Sequence, residues 1–170
     1  MSFLFNKVRD GINSWMNHTF SFFEGFEMQY QDIKPKIIIE PLLRENINFP
    51  PTEIEIYCFN GQPKIFQKII YEDFPKVSVY DENFNFVNFK FKEHYVSVQE
   101  PIDDNIKKAV ELSKILAEQF KLVRVDWLLY KDHLYFNEMT FTPFSGFILF
   151  PAEYKDWDLK LGQMLDIKRN

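Results

Sequence analysis

The chain has 170 residues, of which 46% are apolar and 18% aromatic, so it can bury a sizeable core and is too apolar to be disordered. Its net charge of −5, with scattered lysines, gives no basic patch for nucleic acid. The single cysteine excludes an intramolecular disulfide, and no Cys/His cluster has zinc-site spacing. The apolar runs are too short to cross a bilayer. We expect one cytoplasmic domain, 1–170, that binds no nucleic acid.

The N-terminal residues predict an amphipathic helix. Leu4, Val8, Ile12, Trp15 and Met16 recur at helical spacing. The polar face of this helix is not strongly basic, which disfavours binding to a membrane surface. We therefore expect its apolar face to pack against the protein's own sheet.

Two strand signals follow. The β-branched run at 37–40, which ends before Pro41, predicts a buried strand. Residues 53–59 begin with alternating polar and apolar side chains, and the Asn60-Gly61 pair after them is a strong signal for a two-residue hairpin. Residues 64–71 are then the return strand. Cys58 lies inside this predicted hairpin with no histidine nearby in sequence, which favours a buried apolar role over a nucleophile.

A second hairpin and a helix are predicted next. Residues 77–91 combine a Val-Ser-Val-Tyr run, a polar turn and recurring phenylalanines. Apolar residues from Ile106 to Phe120 then recur at helical spacing, and the aspartates at 103 and 104 can cap that helix. The elements together predict an α+β fold with a mostly antiparallel sheet and packed helices.

The sequence RVDWLLYKDHLYFNEMTFTPFSG, residues 124–146, contains the strongest candidate site. It predicts two strands joined by a tight turn, with Arg124 and Asp126 on one face of the first strand. If Lys131, Asp132 and His133 form a three-residue loop, Asp126 lies directly opposite Glu138.

Two carboxylates opposite each other on a sheet face repel unless a cation neutralises them. A hard ion such as Mg²⁺ takes carboxylate oxygens together with water and phosphate, which suits one Asp and one Glu beside an Arg. A solvated pair without a metal is the plain alternative. A glycosidase acid and base would need more separation for an inverting mechanism, which ranks that interpretation lower.

The order of these segments resembles the TupA-like (teichuronopeptide-biosynthesis-type) branch of the ATP-grasp superfamily. The matching strings, which cover most of the chain, are FEMQYQDIKPKIIIEPLL (26–43), EIEIYCFNGQPKI (53–65), VYDENF (79–84), RVDWLLY (124–130) and YFNEMTFTPFSGF (135–147). The resemblance implies that residues 36–170 are the C-terminal subdomain of an ATP-grasp domain, preceded by a helix and an irregular segment at 1–35.

The resemblance also implies roles for the residues of the candidate site. Asp126 and Glu138 match the two magnesium-binding acids of the family, and Thr140 stands where many ATP-grasp enzymes have an asparagine ligand. Arg124 matches the arginine that contacts phosphate or a developing acyl phosphate.

The nucleotide contacts follow from the same resemblance. Glu40, Pro41, Leu42 and Leu43 resemble the hinge whose backbone bonds the adenine ring, and Glu53 resembles the acid that accepts from the ribose hydroxyls. The implied cofactors are ATP and Mg²⁺. The implied reaction joins a carboxylate to an amine, with a carboxylate-bearing sugar or peptide as acceptor, in cell-surface or capsular polysaccharide synthesis.

The sequence departs from the family pattern in two ways. It begins about where the second half of the family begins, and its five glycines form no phosphate loop before a helix. We therefore expect catalysis to need a separate N-terminal lobe. Glu55 occupies a position where the family usually has a lysine. The alternative is a non-catalytic binding or assembly module whose N-terminal helix covers apolar surface, for example in a homodimer.

Overall fold

In the computed structural model, which describes residues 2–23, 25–44 and 47–168, the chain divides into one unit that ends at Leu42 and another that starts at Leu43. The single-domain expectation stays a prediction. None of the helices in the described ranges combines the length and the apolar character that a bilayer span requires.

The first unit contains the predicted N-terminal helix. Helix α1 covers Ser2–Met16, which confirms that prediction, and the short helix α2 covers Phe20–Phe23. A 3-10 turn follows at Met28–Tyr30. The side chain of Leu4 lies outside the described residues, and Trp15 is 71% exposed. Packing of the apolar helix face against the sheet stays a prediction.

The strand predicted at 37–40 is wrong. These residues have no strand backbone, and Ile39 is 92% exposed. A β-branched run favours extended backbone, but a strand also needs a partner whose backbone groups it can pair with. No strand of the described sheet pairs with this run.

The second unit is built on a sheet of seven described strands. They are β1 Thr52–Phe59, β2 Gln62–Ile70, β3 Lys76–Asp81, β4 Phe86–Val87, β5 Val96–Ser97, β6 Leu122–Tyr130 and β7 His133–Thr140. The order is β4-β3-β2-β1-β6-β7, with β5 beside β3. Every pairing is antiparallel except β3 with β5. Together with the helices, this sheet confirms the predicted α+β class.

The Asn60-Gly61 hairpin between β1 and β2 is confirmed. Both residues have positive φ, 52° and 75°, as a two-residue hairpin turn requires. The turn is anchored where the chain enters β6, because the amide of Asn60 donates to the carbonyl of Lys121 and that of Gly61 donates to the carbonyl of Phe120.

Helix α3, Asp104–Ala117, covers one face of the sheet and confirms the predicted helix. The side chain of Asp103 caps it by accepting a hydrogen bond from the amide of Ile106. Ile106, Ala109 and Ala117 pack on alternate residues of β1 and β6 in one buried cluster. The Trp127 indole donates to Ser113 Oγ at 2.8 Å, which ties the helix to β6.

The opposite face of the sheet has two parts. One part is aromatic: Phe89 stacks on Trp157 of helix α4 (Asp156–Met164), and Phe91 stacks on Tyr57. The other part, towards the start of β1, carries charged residues. Strand alternation places Glu53, Glu55 and Tyr57 on this face, so the polar patch adjoins the aromatic cluster.

Two glycine substitutions test this packing. A Cβ on Gly61 would lie 2.8 Å from the carbonyl oxygen of Glu118 at a φ of +75°, whereas a Cβ on the helical Gly162 meets nothing within 4 Å. We expect Gly61→Ala to lower the free energy of unfolding by about 1–3 kcal/mol. Gly162→Ala should raise it by up to about 1 kcal/mol. Urea denaturation measures both, and a Gly61→Ala variant as stable as the wild type would contradict the packing.

Candidate functional site

The turn between β6 and β7 differs from the predicted one. Tyr130 pairs with His133, so the loop contains only Lys131 and Asp132, with φ values of 50° and 58°. The predicted three-residue loop is therefore wrong. A two-residue turn with both φ values positive matches the twist of paired strands, and aspartate tolerates this conformation better than most residues.

Asp126 nevertheless lies opposite Glu138, as predicted. Trp127 pairs with Phe136 and Asp126 pairs with Glu138, which leaves Asn137 as an extra residue in β7. This bulge shifts the register by one residue. On the turn side of the bulge, Phe136 lies against Trp127 with ring centroids 5.8 Å apart. Beyond the bulge, Glu138 lies on the face of Asp126.

Arg124 links the predicted site residues. Its Nε lies 2.8 Å from Asp126 Oδ1, and its Nη2 lies 2.6 Å from Asp126 Oδ2, which is a two-point ion pair. The same Nη2 lies 3.5 Å from Glu138 Oε1 and 3.4 Å from Thr140 Oγ1. The Thr140 hydroxyl donates to Glu138 Oε1 at 3.3 Å. The structure thus brings all four residues together on one sheet face.

Three further residues complete the site: Glu55, Tyr57 and Gln67. None of them was a predicted site residue. Glu55 of β1 pairs with Asp126 on one side and with Gln67 of β2 on the other. Its Oε2 accepts from Gln67 Nε2 at 2.5 Å and from the Tyr57 hydroxyl at 3.1 Å, and lies 3.8 Å from Arg124 Nε. The one sequence signal for Glu55 was that it stands where the family usually has a lysine. Its contact with Asp126 depends on the pairing of β1 with β6, which the tertiary fold sets.

Glu53 lies at the edge of the same patch. Its Oε2 accepts a hydrogen bond from the Tyr71 hydroxyl at 2.5 Å. Carboxylate oxygens of Glu53, Glu55 and Asp126 lie within 4.8 Å of one another. The predicted ribose acid therefore belongs to a cluster of acids.

The predicted hinge residues fall on both sides of the boundary between the units. Glu40, Pro41 and Leu42 belong to the first unit, and Leu43 begins the second. Their predicted contacts with adenine stay predictions.

Burial changes the ionisation of two of these acids, Asp126 and Glu53. It raises the pKa of Asp126 to about 8, against the lowering effect of Arg124 and with a further rise from Glu55 and Glu53. Burial also raises the pKa of Glu53, although the Tyr71 hydroxyl opposes this. Burial would lower the pKa of Arg124, but Asp126 and Glu55 raise it above its ordinary value. Arg124 therefore stays charged, whereas Asp126 and Glu53 hold their protons more tightly than usual.

The donor set fits a hard divalent cation. Asp126, Glu138 and Thr140 offer only oxygen ligands, which Mg²⁺ prefers. Glu55, Asp126 and Glu138 also share the single positive charge of Arg124, so a bound cation would relieve their repulsion. These residues can hold a metal.

Cys58 takes no part in this chemistry. It is buried among the residues that pack beneath α3, and burial raises the pKa of its thiol to about 12. Because the thiolate is the reactive form, this cysteine is inert at neutral pH. The expectation of a buried apolar role is confirmed.

The raised pKa of Asp126 predicts a pH dependence of stability. The folded protein holds this proton up to a pH of about 8, whereas a carboxyl at its ordinary pKa of 3.8 loses it far earlier. Stability from this group is therefore full below about pH 4 and is lost as the pH rises towards 8. In EDTA, we expect the melting temperature of the wild type to fall relative to that of Asp126→Asn over this range. A constant difference between the two would contradict the raised pKa.

Comparison with known proteins agrees with this geometry. A family model described as TupA-like ATPgrasp matches residues 4–166, nearly the whole chain. No curated protein matches the chain. The motif order, the antiparallel sheet and the family match lead to one conclusion: the chain belongs to the TupA-like ATP-grasp family.

Proposed function

We propose that this chain binds Mg²⁺ and ATP on the charged sheet face, as the nucleotide-binding half of a carboxylate–amine ligase or related transferase. The observation that carries the proposal is the pairing of Asp126 with Glu138 across β6 and β7, with Arg124 in contact with both. The proposed setting is cell-surface polysaccharide synthesis in the cytoplasm, where ATP is supplied. Membership of the family supports the nucleotide part of this proposal.

The proposed metal ligands are Asp126, Glu138 and Thr140. Bound Mg²⁺ would neutralise charge on the phosphates. Thr140 positions Glu138 through its hydroxyl, and Arg124 positions Asp126 through two hydrogen bonds. The site thus holds its ligands in place before any ion arrives, which is the preorganisation that electrostatic catalysis needs.

Arg124 is the proposed catalytic residue. Its side chain is partly accessible, and its planar donor set suits the oxygens of a transferring phosphoryl group. In the proposed reaction a substrate carboxylate oxygen attacks the γ-phosphorus of ATP and ADP leaves. An amine then displaces phosphate from the acyl phosphate and loses a proton. The proposed acceptor is a carboxylate-bearing sugar or peptide.

The remaining nucleotide contacts are part of the proposal. Glu40, Pro41, Leu42 and Leu43 would bond the adenine ring through their backbone, and Glu53 would accept from ribose. The Tyr71 hydroxyl fixes the carboxylate of Glu53. The family resemblance also expects a lysine strand and a glycine-rich phosphate loop as further phosphate contacts.

Thermal stability in the presence of Mg²⁺ and ATP tests the proposal. We expect the two together to raise the melting temperature, because a ligand at 100 times its Kd adds about 2.7 kcal/mol of stability. The shift is the melting temperature with Mg²⁺ and ATP minus that with Mg²⁺ alone. Asp126→Asn and Glu138→Gln should lose most of it. The control is Glu111→Gln, which makes the same carboxylate-to-amide change at an exposed position of α3. An absent shift in the wild type, or an equal shift in all variants, would refute the proposal.

A further inference from the structure

A deeper group of acids lies beside the Asp126–Glu138 pair. Glu53 and Glu55 come from β1 and Asp126 comes from β6, and their carboxylate oxygens lie within 4.8 Å of one another. Glu55 is 7% exposed and Asp126 is 0% exposed. Glu138 is exposed and belongs to the rim of the face. The three inner acids, here called the inner cluster, are therefore distinct in position from the Glu138 side of the site.

The inner cluster carries more negative charge than the chain compensates. Within the described ranges, the ion pairs of Glu55 and Asp126 all go to Arg124, which also contacts Glu138. Glu53 has a tyrosine hydroxyl as its hydrogen-bond donor and no ion pair in the same ranges. Burying carboxylates without full compensation is costly, and a cation or a proton must offset it.

A neighbouring amide points to a cation rather than to protons alone. Gln67 is 2% exposed, and its amide group is directed at the inner cluster, because its Nε2 donates to Glu55 Oε2 at 2.5 Å. Its Oε1 is buried and accepts no hydrogen bond from the described residues. A buried acceptor without a donor costs stability. A carbonyl oxygen beside carboxylates is also a common ligand of hard divalent cations.

We propose that Glu53, Glu55 and Asp126, with the amide oxygen of Gln67, bind a hard divalent cation in the absence of nucleotide. This inner site shares Asp126 with the proposed magnesium ligands but does not use Glu138 or Thr140. It does not depend on the chain binding ATP. It gives Glu53 and Glu55 a metal-binding role and gives the orphaned oxygen of Gln67 a partner.

Terbium luminescence tests the inner site on the full chain without nucleotide. Tb³⁺ replaces hard divalent ions, and the Tyr57 and Tyr71 hydroxyls lie 3.1 Å and 2.5 Å from Glu55 and Glu53, so these rings can sensitise it. We expect a saturable signal that Mn²⁺ or Mg²⁺ displaces. Glu55→Gln should weaken Tb³⁺ binding at least about tenfold, and Gln67→Leu should weaken it severalfold.

Glu111→Gln is the matched control, since it makes the same carboxylate-to-amide change at an exposed position of α3, and it should change Tb³⁺ affinity less than about twofold. Glu138→Gln separates the two sites, since it removes a carboxylate from the same sheet face but not from the inner cluster. Because Glu138 shares Arg124 with Asp126, we expect Glu138→Gln to weaken Tb³⁺ binding, but clearly less than Glu55→Gln does. A loss as large as that of Glu55→Gln would place the cation at the Asp126–Glu138 pair and overturn the inner site. An unsaturable signal, or wild-type affinity in Glu55→Gln, would also overturn it. The Mg²⁺–ATP experiment is separate, so either proposal can fail alone.

Glu55→Lys provides a second variant. Its outcome does not depend on whether the site still binds the ion through the amide oxygen that Glu55→Gln introduces. It places a tethered ammonium among the inner acids, so we expect it to abolish Tb³⁺ binding and to raise the melting temperature in EDTA above that of the wild type. Retained Tb³⁺ binding in a folded Glu55→Lys protein would overturn the proposal. Far-UV circular dichroism confirms the fold of each variant.

Discussion

The functional face depends on the ion pairs between Arg124 and the acids around it. The guanidinium contacts the buried Asp126 at two points, the half-exposed Glu138 at a third and Glu55 at longer range. Arg124 lowers the pKa of Asp126 against the effect of burial, so without this cation the buried carboxyl would hold its proton even more tightly. Arg124 therefore allows acids from three strands to share one surface. It also leaves them with excess negative charge, which makes the face receptive to a metal ion.

A single extra residue decides which side chains face this charge. Without the bulge at Asn137, a two-residue turn at Lys131 and Asp132 would place Asn137 opposite Asp126. Glu138 would then lie on the helix-covered face. The bulge leaves the half-exposed Phe136 opposite Trp127 and turns Glu138 to the polar face. Bulges often direct side chains in this way at functional sites, and here the bulge decides that Glu138 joins the site.

Patterns among residues close in the sequence predicted much of the fold and of the candidate site. The Asn60-Gly61 turn, the helix capped by Asp103 and the Asp126–Glu138 pairing all follow from residues close in the chain. The pairing was predicted through a wrong loop length, because no sequence feature marks the bulge that restores the register.

Contacts between distant segments could not be predicted. Nothing in the sequence states that β1 lies beside β6, so Glu55 gave no sign that it meets Asp126. The prediction of a strand at 37–40 was wrong for a related reason, since β propensity does not provide the neighbouring strand that a strand needs.

Glu55 stands where the family resemblance places a lysine, and the structure shows what this change requires. A lysine there would add a second cation to the face, whereas Glu55 adds an acid that Tyr57, Gln67 and Arg124 must stabilise. A polyphosphate would meet net negative charge, so a cation bound first would favour its approach.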